Sequence, residues 1–232
     1  MRIFVLSDPH LGRDMSRYGE VWVEHPEKIR QRWRETVSNR DLVLIPGDFS
    51  WATTGAAVEK HLDLVAALPG RTVISPGNHD RWWNHARKFR YANIAFLNHA
   101  HLSLGEHWTL AAAVGWECPE SPWWKESMRE ELDQACLDLE STLAEAARER
   151  PGRKILLMMH FPPRWDAAVG PTAFERIIAR HPVELVVYGH IHGEDLAFAH
   201  DDLFRVEGRS IRYLNASVDR TDMTPIIALE ID

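Results

Sequence analysis

The sequence predicts an α/β fold in a single domain spanning residues 1–232, and three observations carry that prediction. Strand-like apolar runs alternate with amphipathic helical stripes through most of the chain. Five of those runs end on residues of metal-ligand type. From residue 203 onward the chain breaks into short strand-like segments without a helical stripe.

The first run, Ile3 to Leu6, leads to Asp8 and His10. Between Glu27 and Val37, the residues Ile29, Trp33 and Val37 recur every four positions, which predicts a helix with one buried face. Leu42 to Ile45 forms the second run and leads to Asp48. From Thr54 to Leu68 the stripe Val58, Leu62, Val65, Leu68 predicts a second helix. Thr72 to Ile74 precedes Asn78, His79 and Asp80. A long helix is expected from about Lys125 to Arg150, with Met128, Leu132, Cys136, Leu139 and Leu143 on one side and Pro151-Gly152 as its stop. Ile155 to Met159 leads to His160, and Val183 to Tyr188 leads to His190 and His192. Leu203 to Val206, Ile211 to Leu214 and Pro225 to Ile231 read as closing strands.

Composition bounds the function. With 232 residues, 45% hydrophobic and 26% charged, the chain resembles ordinary globular domains and buries a core without disulfides. Cys118 and Cys136 give neither a disulfide framework nor a C-x-x-C pair, which fits a reducing compartment. The amino terminus enters at once into Ile3 to Leu6 with no basic leader, so no signal peptide is expected. No apolar run approaches the roughly 20 residues that span a bilayer. A cytoplasmic protein with no membrane partner is therefore expected. A net charge of -7, from 27 Lys and Arg against 34 Asp and Glu, argues against nucleic acid as a partner. The oligomeric state stays open.

The ligand-type residues carry the chemistry. In an extended chain, residues i and i+2 point to the same face, so Asp8 with His10, and His190 with His192, can each address one ion. Such pairs also arise by chance, and a lone histidine is more often structural. The stronger signal is that Asp48, Asn78 and His160 also follow strands, because ligands of open α/β sheets bind at the carboxyl ends of strands. Imidazole nitrogens combined with carboxylate and amide oxygens, without thiolates, suit manganese, iron, zinc or nickel. Two ions about 3.5–4 Å apart need a shared ligand, and Asp48, behind Gly47, is the natural bridge.

Taken in order, Asp8-Pro9-His10, Gly47-Asp48, Gly77-Asn78-His79-Asp80, His160 and Gly189-His190-Ile191-His192 resemble the five-block signature of the calcineurin-like metallophosphoesterases. The resemblance implies a four-layer α/β/β/α sandwich of two mixed sheets flanked by helices, holding two divalent transition-metal ions (Mn, Fe or Zn). It implies that Asp8, His10, Asp48 and His192 hold one ion and Asp48, Asn78, His160 and His190 the other. His79 would protonate the leaving group, with Asp80 orienting it and favouring its cationic form, while water activated between the ions attacks phosphorus in line.

The branch within the superfamily is less sharply marked. Phosphoprotein phosphatases continue the Gly-Asp block with a phosphate-gripping arginine and end the third block in Glu. Here Phe49-Ser50-Trp51 follows Asp48, and Asp80 stands in place of Glu. Lipid A precursor hydrolases carry arginine where this chain has His79. A small phosphate-ester substrate, most simply a nucleotide-like phosphodiester, is expected. A non-catalytic metal-binding scaffold, a nuclease and a phosphomonoesterase are the alternatives. Ten tryptophans are present, and Trp51, Trp82 and Trp165 lie just downstream of ligand blocks. They either line the substrate site or pin the loops to the sandwich. Trp123 and Trp124 suggest a lid or interface patch. Arg81 and Arg164 are candidate phosphate contacts, although a solvated or carboxylate-paired arginine is the commoner outcome.

Overall fold

In the computed structural model, which describes residues 1–165 and 170–231, Arg2–Val5 (β1), Leu42–Pro46 (β2), Arg71–Ser75 (β3) and Ile94–Phe96 (β4) run parallel in one sheet. Ile226–Glu230 (β11) closes its edge antiparallel to β1, giving the order β11-β1-β2-β3-β4. The second sheet contains Ala100–Leu104 (β5), Trp108–Ala113 (β6), Lys154–Met159 (β7), Val183–Tyr188 (β8), Leu203–Val206 (β9) and Arg209–Asn215 (β10). Its order is β5-β6-β7-β8-β10-β9, with β6, β7, β8 and β10 parallel and the two outer strands antiparallel.

The period-2 alternation of side chains explains the layering. In β2, Val43 and Ile45 join the apolar cluster shared with the helices His25–Thr36 (α1) and Gly55–Ala66 (α2), whereas Leu42 and Leu44 face the other sheet. In β7, Leu156 and Met158 meet them from the opposite side, while Ile155, Leu157 and Met159 face Arg129–Glu149 (α3) and Ala173–Ala179 (α4). Strands apolar on both faces must be covered on both faces. The result is the α/β/β/α sandwich.

Local chemistry sets the helix ends. Pro26 sits in the first turn of α1, and the Thr54 hydroxyl accepts from the Ala57 N–H at the start of α2. At α4 the Thr172 side chain and Glu175 form a reciprocal capping box. The expected long helix begins four residues later than Lys125, because Glu126–Met128 forms a separate 3-10 turn. Strands β4, β5 and β6 and helix α4 had no distinct sequence signal: β4 has three residues, the inner half of β6 is Ala111–Ala113, and α4 is too short to show a stripe. No helix among the described residues is long and apolar enough to cross a membrane.

Candidate metal centre

Because β1, β2 and β3 run parallel to one another, as do β7 and β8, the loops leaving their carboxyl ends gather at one edge of the sandwich. Asp8 follows β1, Asp48 follows β2, Asn78 to Asp80 follow β3, His160 follows β7 and His190 follows β8. Three of these residues, together with His10, bend the chain sharply. Asp8, His10, Asp48 and His190 have φ of 62°, 45°, 50° and 72°, a left-handed region that non-glycine residues adopt at a cost of about 1–3 kcal/mol each. The backbone is strained where the ligand-type side chains turn inward.

Those side chains converge on two adjacent points. At the first, His10 Nε2 lies 3.3 Å from His192 Nε2, which lies 3.4 Å from Asp8 Oδ1. At the second, Asn78 Oδ1 lies 2.9 Å from His160 Nε2 and 3.1 Å from His190 Nδ1, and the two ring nitrogens are 3.2 Å apart. Asp48 reaches both points, with Oδ2 3.9 Å from His10 Nε2 and Oδ1 3.6 Å from His160 Nε2. Asp8, Asp48, His10 and His160 are all buried. The groups Asp8, His10 and the half-buried His192, and the fully buried Asp8, Asp48 and His160, are each compact enough to hold a metal ion.

Electrostatics favours cations at this place. Burial and the charge on Asp8 push the Asp48 carboxyl up to about 7. Burial holds His10, His160 and His190 below the usual imidazole range, in the neutral form that ligates metals. Burial also works against the Asp8 carboxylate, but the charge of His192 and its hydrogen bond outweigh it and hold Asp8 low. Lone pairs and carboxylates aimed at one point repel unless a cation lies among them, so the donor set fits two divalent ions.

Three of the four histidines are oriented by acceptors behind them. His160 Nδ1–H donates to the Pro46 carbonyl (3.0 Å), His192 Nδ1–H to Asp219 Oδ1 (3.0 Å) and His190 Nε2–H to Glu117 Oε1 (3.2 Å). Each contact turns the opposite ring nitrogen toward the cluster. In His160 and His190 that nitrogen is unprotonated, whereas in His192 burial is outweighed by Asp8 and Asp219, which push it up to about 10, so its Nε2 must give up a proton to ligate an ion. His10 differs: its Nδ1 accepts from the Trp51 indole N–H at 2.9 Å, so the neutral ring carries its proton on Nε2. Ligation through Nε2 requires the other tautomer. Glu117 and Asp219 had not been singled out in the sequence, although both follow strands, β6 and β10, at the same edge.

The remaining expected residues fall into distinct environments. His79 stands at the rim, with a side chain 35% exposed and Nε2 4.0 Å from Asp48 Oδ2, while its backbone N–H donates to Asp48 Oδ1. Trp51 stacks on its ring at 3.9 Å. Asp80 does not orient His79: its oxygens accept the N–H groups of Phe49, Ser50 and Gly77 and the Trp82 indole N–H, so it ties the loop after β2 to the loop after β3. Nor does it make His79 cationic. Burial above all, with the neighbouring imidazoles of His160 and His190, pushes His79 down to about 4.

Trp82 and Trp165 are fully buried, the latter 6.0 Å from the His190 ring, and both pin loops instead of lining the opening. Arg164 is buried, donating to Glu175 Oε1 and lying over Phe204. Arg81 is exposed. Trp123 packs against Trp165, and Trp124 lies under Arg129.

The calcineurin-like phosphoesterase family profile matches residues 1–194, a span that contains every one of the expected ligands. No curated protein matches the chain. Among solved structures, the chain is similar to a protein of unknown function from Aquifex aeolicus, with a TM-score of 0.53 and 17% identity, covering 97% of this chain and 94% of that one. It is also similar to a protein from Thermus thermophilus, with a TM-score of 0.54 and 13% identity, covering 91% and 88%. At these identities the likeness is one of fold.

Proposed function

The chain belongs to the calcineurin-like phosphoesterase family, and from that premise we propose that it is a dinuclear metal-dependent phosphodiesterase acting on a small nucleotide-like substrate. The observation that carries this reading is the convergence of Asp8, His10 and His192 on one point and of Asn78, His160 and His190 on another, with one oxygen of Asp48 toward each. Manganese, iron or zinc suits this mixture of nitrogen and oxygen donors. Asp8, His10, Asp48 and His192 would hold one ion, and Asp48, Asn78, His160 and His190 the other. Bound there, the ions supply Lewis acidity toward the phosphoryl oxygens and toward water.

The chain's own residues supply the rest. His79 lies outside both sets of converging ligand atoms, yet at their rim, so its Nε2 can deliver a proton to the departing ester oxygen as the P–O bond breaks. That assistance is worth roughly 10²- to 10⁴-fold. Because burial and the neighbouring imidazoles hold His79 low, it keeps a proton at neutral pH only beside an anion. A bound phosphate ester is such an anion. The preference for diesters rests on Phe49-Ser50-Trp51, which supplies no arginine after the Gly47-Asp48 block.

The test is hydrolysis of bis-p-nitrophenyl phosphate by manganese-loaded protein, with loss of activity on chelation. Faster turnover of phosphomonoesters or phosphopeptides with every metal would overturn the diester preference. Inactivity in all metals on all of these esters would overturn the enzymatic reading.

A further inference from the structure

Arg13, outside every ligand block, is the arginine that the fold mounts beside the reaction site. Its guanidinium carbon lies 3.8 Å above the Trp51 ring, and Trp51 in turn stacks on His79 at 3.9 Å with planes 24° apart. Two groups that close to one indole cannot share a face, so they cover opposite faces. The order of the stack is therefore Arg13, Trp51, His79.

The stack is built into the backbone. Leu11 N–H donates to the Phe49 carbonyl, and Trp51 N–H donates to the Leu11 carbonyl, which zips the loop after β1 to the loop after β2. Gly12, with φ of 82°, sits so close to His61 that an added Cβ would lie 2.6 Å from its Cε1, and His61 Nδ1 is bonded to Ser50 Oγ. The indole N–H is held by His10. Arg13 thus pays little rotamer entropy on binding, because stacking already fixes its plane.

Two consequences follow from this arrangement. With both faces covered, Trp51 offers no platform to a base or phenyl ring. Meanwhile the N–H edge of Arg13 has no hydrogen-bond or ion-pair partner among the described residues, in a chain whose net charge is -7. A guanidinium fork presents parallel donors that match a carboxylate or phosphate, and it sits one indole thickness beyond the imidazole assigned to the leaving oxygen.

We propose that Arg13 is a specificity-determining residue that binds a second oxyanion, carboxylate or phosphate, carried by the leaving group of the substrate. This rests on the phosphodiesterase reading and narrows it to diesters with an anionic leaving group. The ligand is recognised by charge and by the planar fork, not by stacking.

The test uses three methyl aryl phosphodiesters whose phenol bears a para carboxamide, a para carboxylate or a para phosphonate, assayed with the full-length metal-loaded protein. Wild-type protein is expected to show lower KM for the two anionic esters than for the carboxamide, and the lower of the two tells which oxyanion fits. Arg13→Gln should raise KM for the anionic esters roughly 10- to 100-fold more than for the carboxamide, the worth of a charge-assisted bond. Arg13→Lys should restore part of that difference, since it returns the charge without the fork.

Calorimetric binding of the same esters to both proteins gives a readout that does not need turnover. Equal KM for all three esters in wild type, or equal losses for all three in Arg13→Gln, would overturn the proposal while leaving the phosphodiesterase reading intact. If none of the esters is hydrolysed, the phosphodiesterase reading fails, and calorimetry decides the proposal: Arg13-dependent preference for the anionic esters supports it, and its absence overturns it.

Discussion

Gly189→Ala should damage the proposed metal centre. A Cβ at Gly189 would lie 2.0 Å from Asp8 Oδ2, 2.0 Å from Ser7 Oγ and 2.7 Å from Ser7 Cβ. Asp8 and Ser7 are fully buried, and the His190 N–H donates to both Asp8 oxygens at 3.1 and 3.0 Å, so the carboxylate has nowhere to retreat. Relief of the clash needs the end of β8 and the loop after β1 to part by about 1 Å. Overpacking of that kind costs about 1–3 kcal/mol. For a chain of this length, that is a fall in Tm of roughly 3–10 °C.

The same displacement stretches the contact between Asp8 and the backbone that carries His190 and His192. Metal affinity should fall at least 10- to 100-fold, the usual range for disturbed ligand support. Thermal unfolding with and without manganese, together with elemental analysis, measures both effects. Gly170→Ala is the control, because its added Cβ meets nothing within 4 Å among the described residues. A Gly189→Ala protein with wild-type Tm and wild-type affinity for both ions would refute the reasoning.

His79→Ala should retain both ions yet lose on the order of 10²-fold or more in rate for alkyl and nucleoside leaving groups, and much less for p-nitrophenolate, which departs unaided; equal losses, or a drop in metal content, would contradict the acid role. Asp219→Asn should lower metal affinity about 10- to 100-fold, since Asp219 fixes the His192 tautomer at 3.0 Å, and competition with a chelator reads it. Asp41→Asn tests an ion pair remote from the site: the carboxylate accepts from the Arg2 guanidinium (2.7 Å), the Ser38 hydroxyl (2.7 Å) and the Ser38 N–H (2.9 Å). Although burial opposes it, these donors hold the Asp41 carboxyl below its ordinary value, so its stabilising effect is present above the unfolded-state pKa near 4 and is lost as pH falls through the lower folded value. Asp41→Asn should therefore cost about 1 kcal/mol at pH 7 after solvent screening. In denaturant melts the gap from wild type should close as pH falls from 5 toward 2, and a gap that widens there would reverse the assignment.

The convergence of the proposed metal ligands was legible because each follows a strand within a few residues, so local pattern and chain order carried the information. Their supports were not. Glu117 meets His190 across 73 positions and Asp219 meets His192 across 27, and nothing local marks either pairing. The α/β class was legible in the same local pattern, whereas the four-layer sandwich came from the family resemblance; in the structure, apolar runs such as Leu42 to Ile45 and Ile155 to Met159 are covered on both faces. The small-residue strand β6, whose loop delivers Glu117, lacked that signature.

The aromatic and basic residues near the ligand blocks show where proximity in sequence misleads. Trp82 and Trp165 flank ligands, but a large ring gains most from burial, so both point into the sandwich while their loops wrap the site. Arg164 is drawn to Glu175, itself fixed by the capping box of α4, a Thr172-x-x-Glu175 signature visible in the sequence whose partner was not. Asp80 follows the same logic. A carboxylate with four N–H donors in reach is better spent joining two loops than charging one imidazole, and burial with the Asp48 charge pushes it up to about 7 all the same. The Asp80 tie holds Phe49 and Ser50 in place, and those residues hold Trp51 over His79. Asp80 therefore reaches the proposed acid through the loop that carries the stacking indole, a route made of tertiary contacts that no spacing in the sequence encodes.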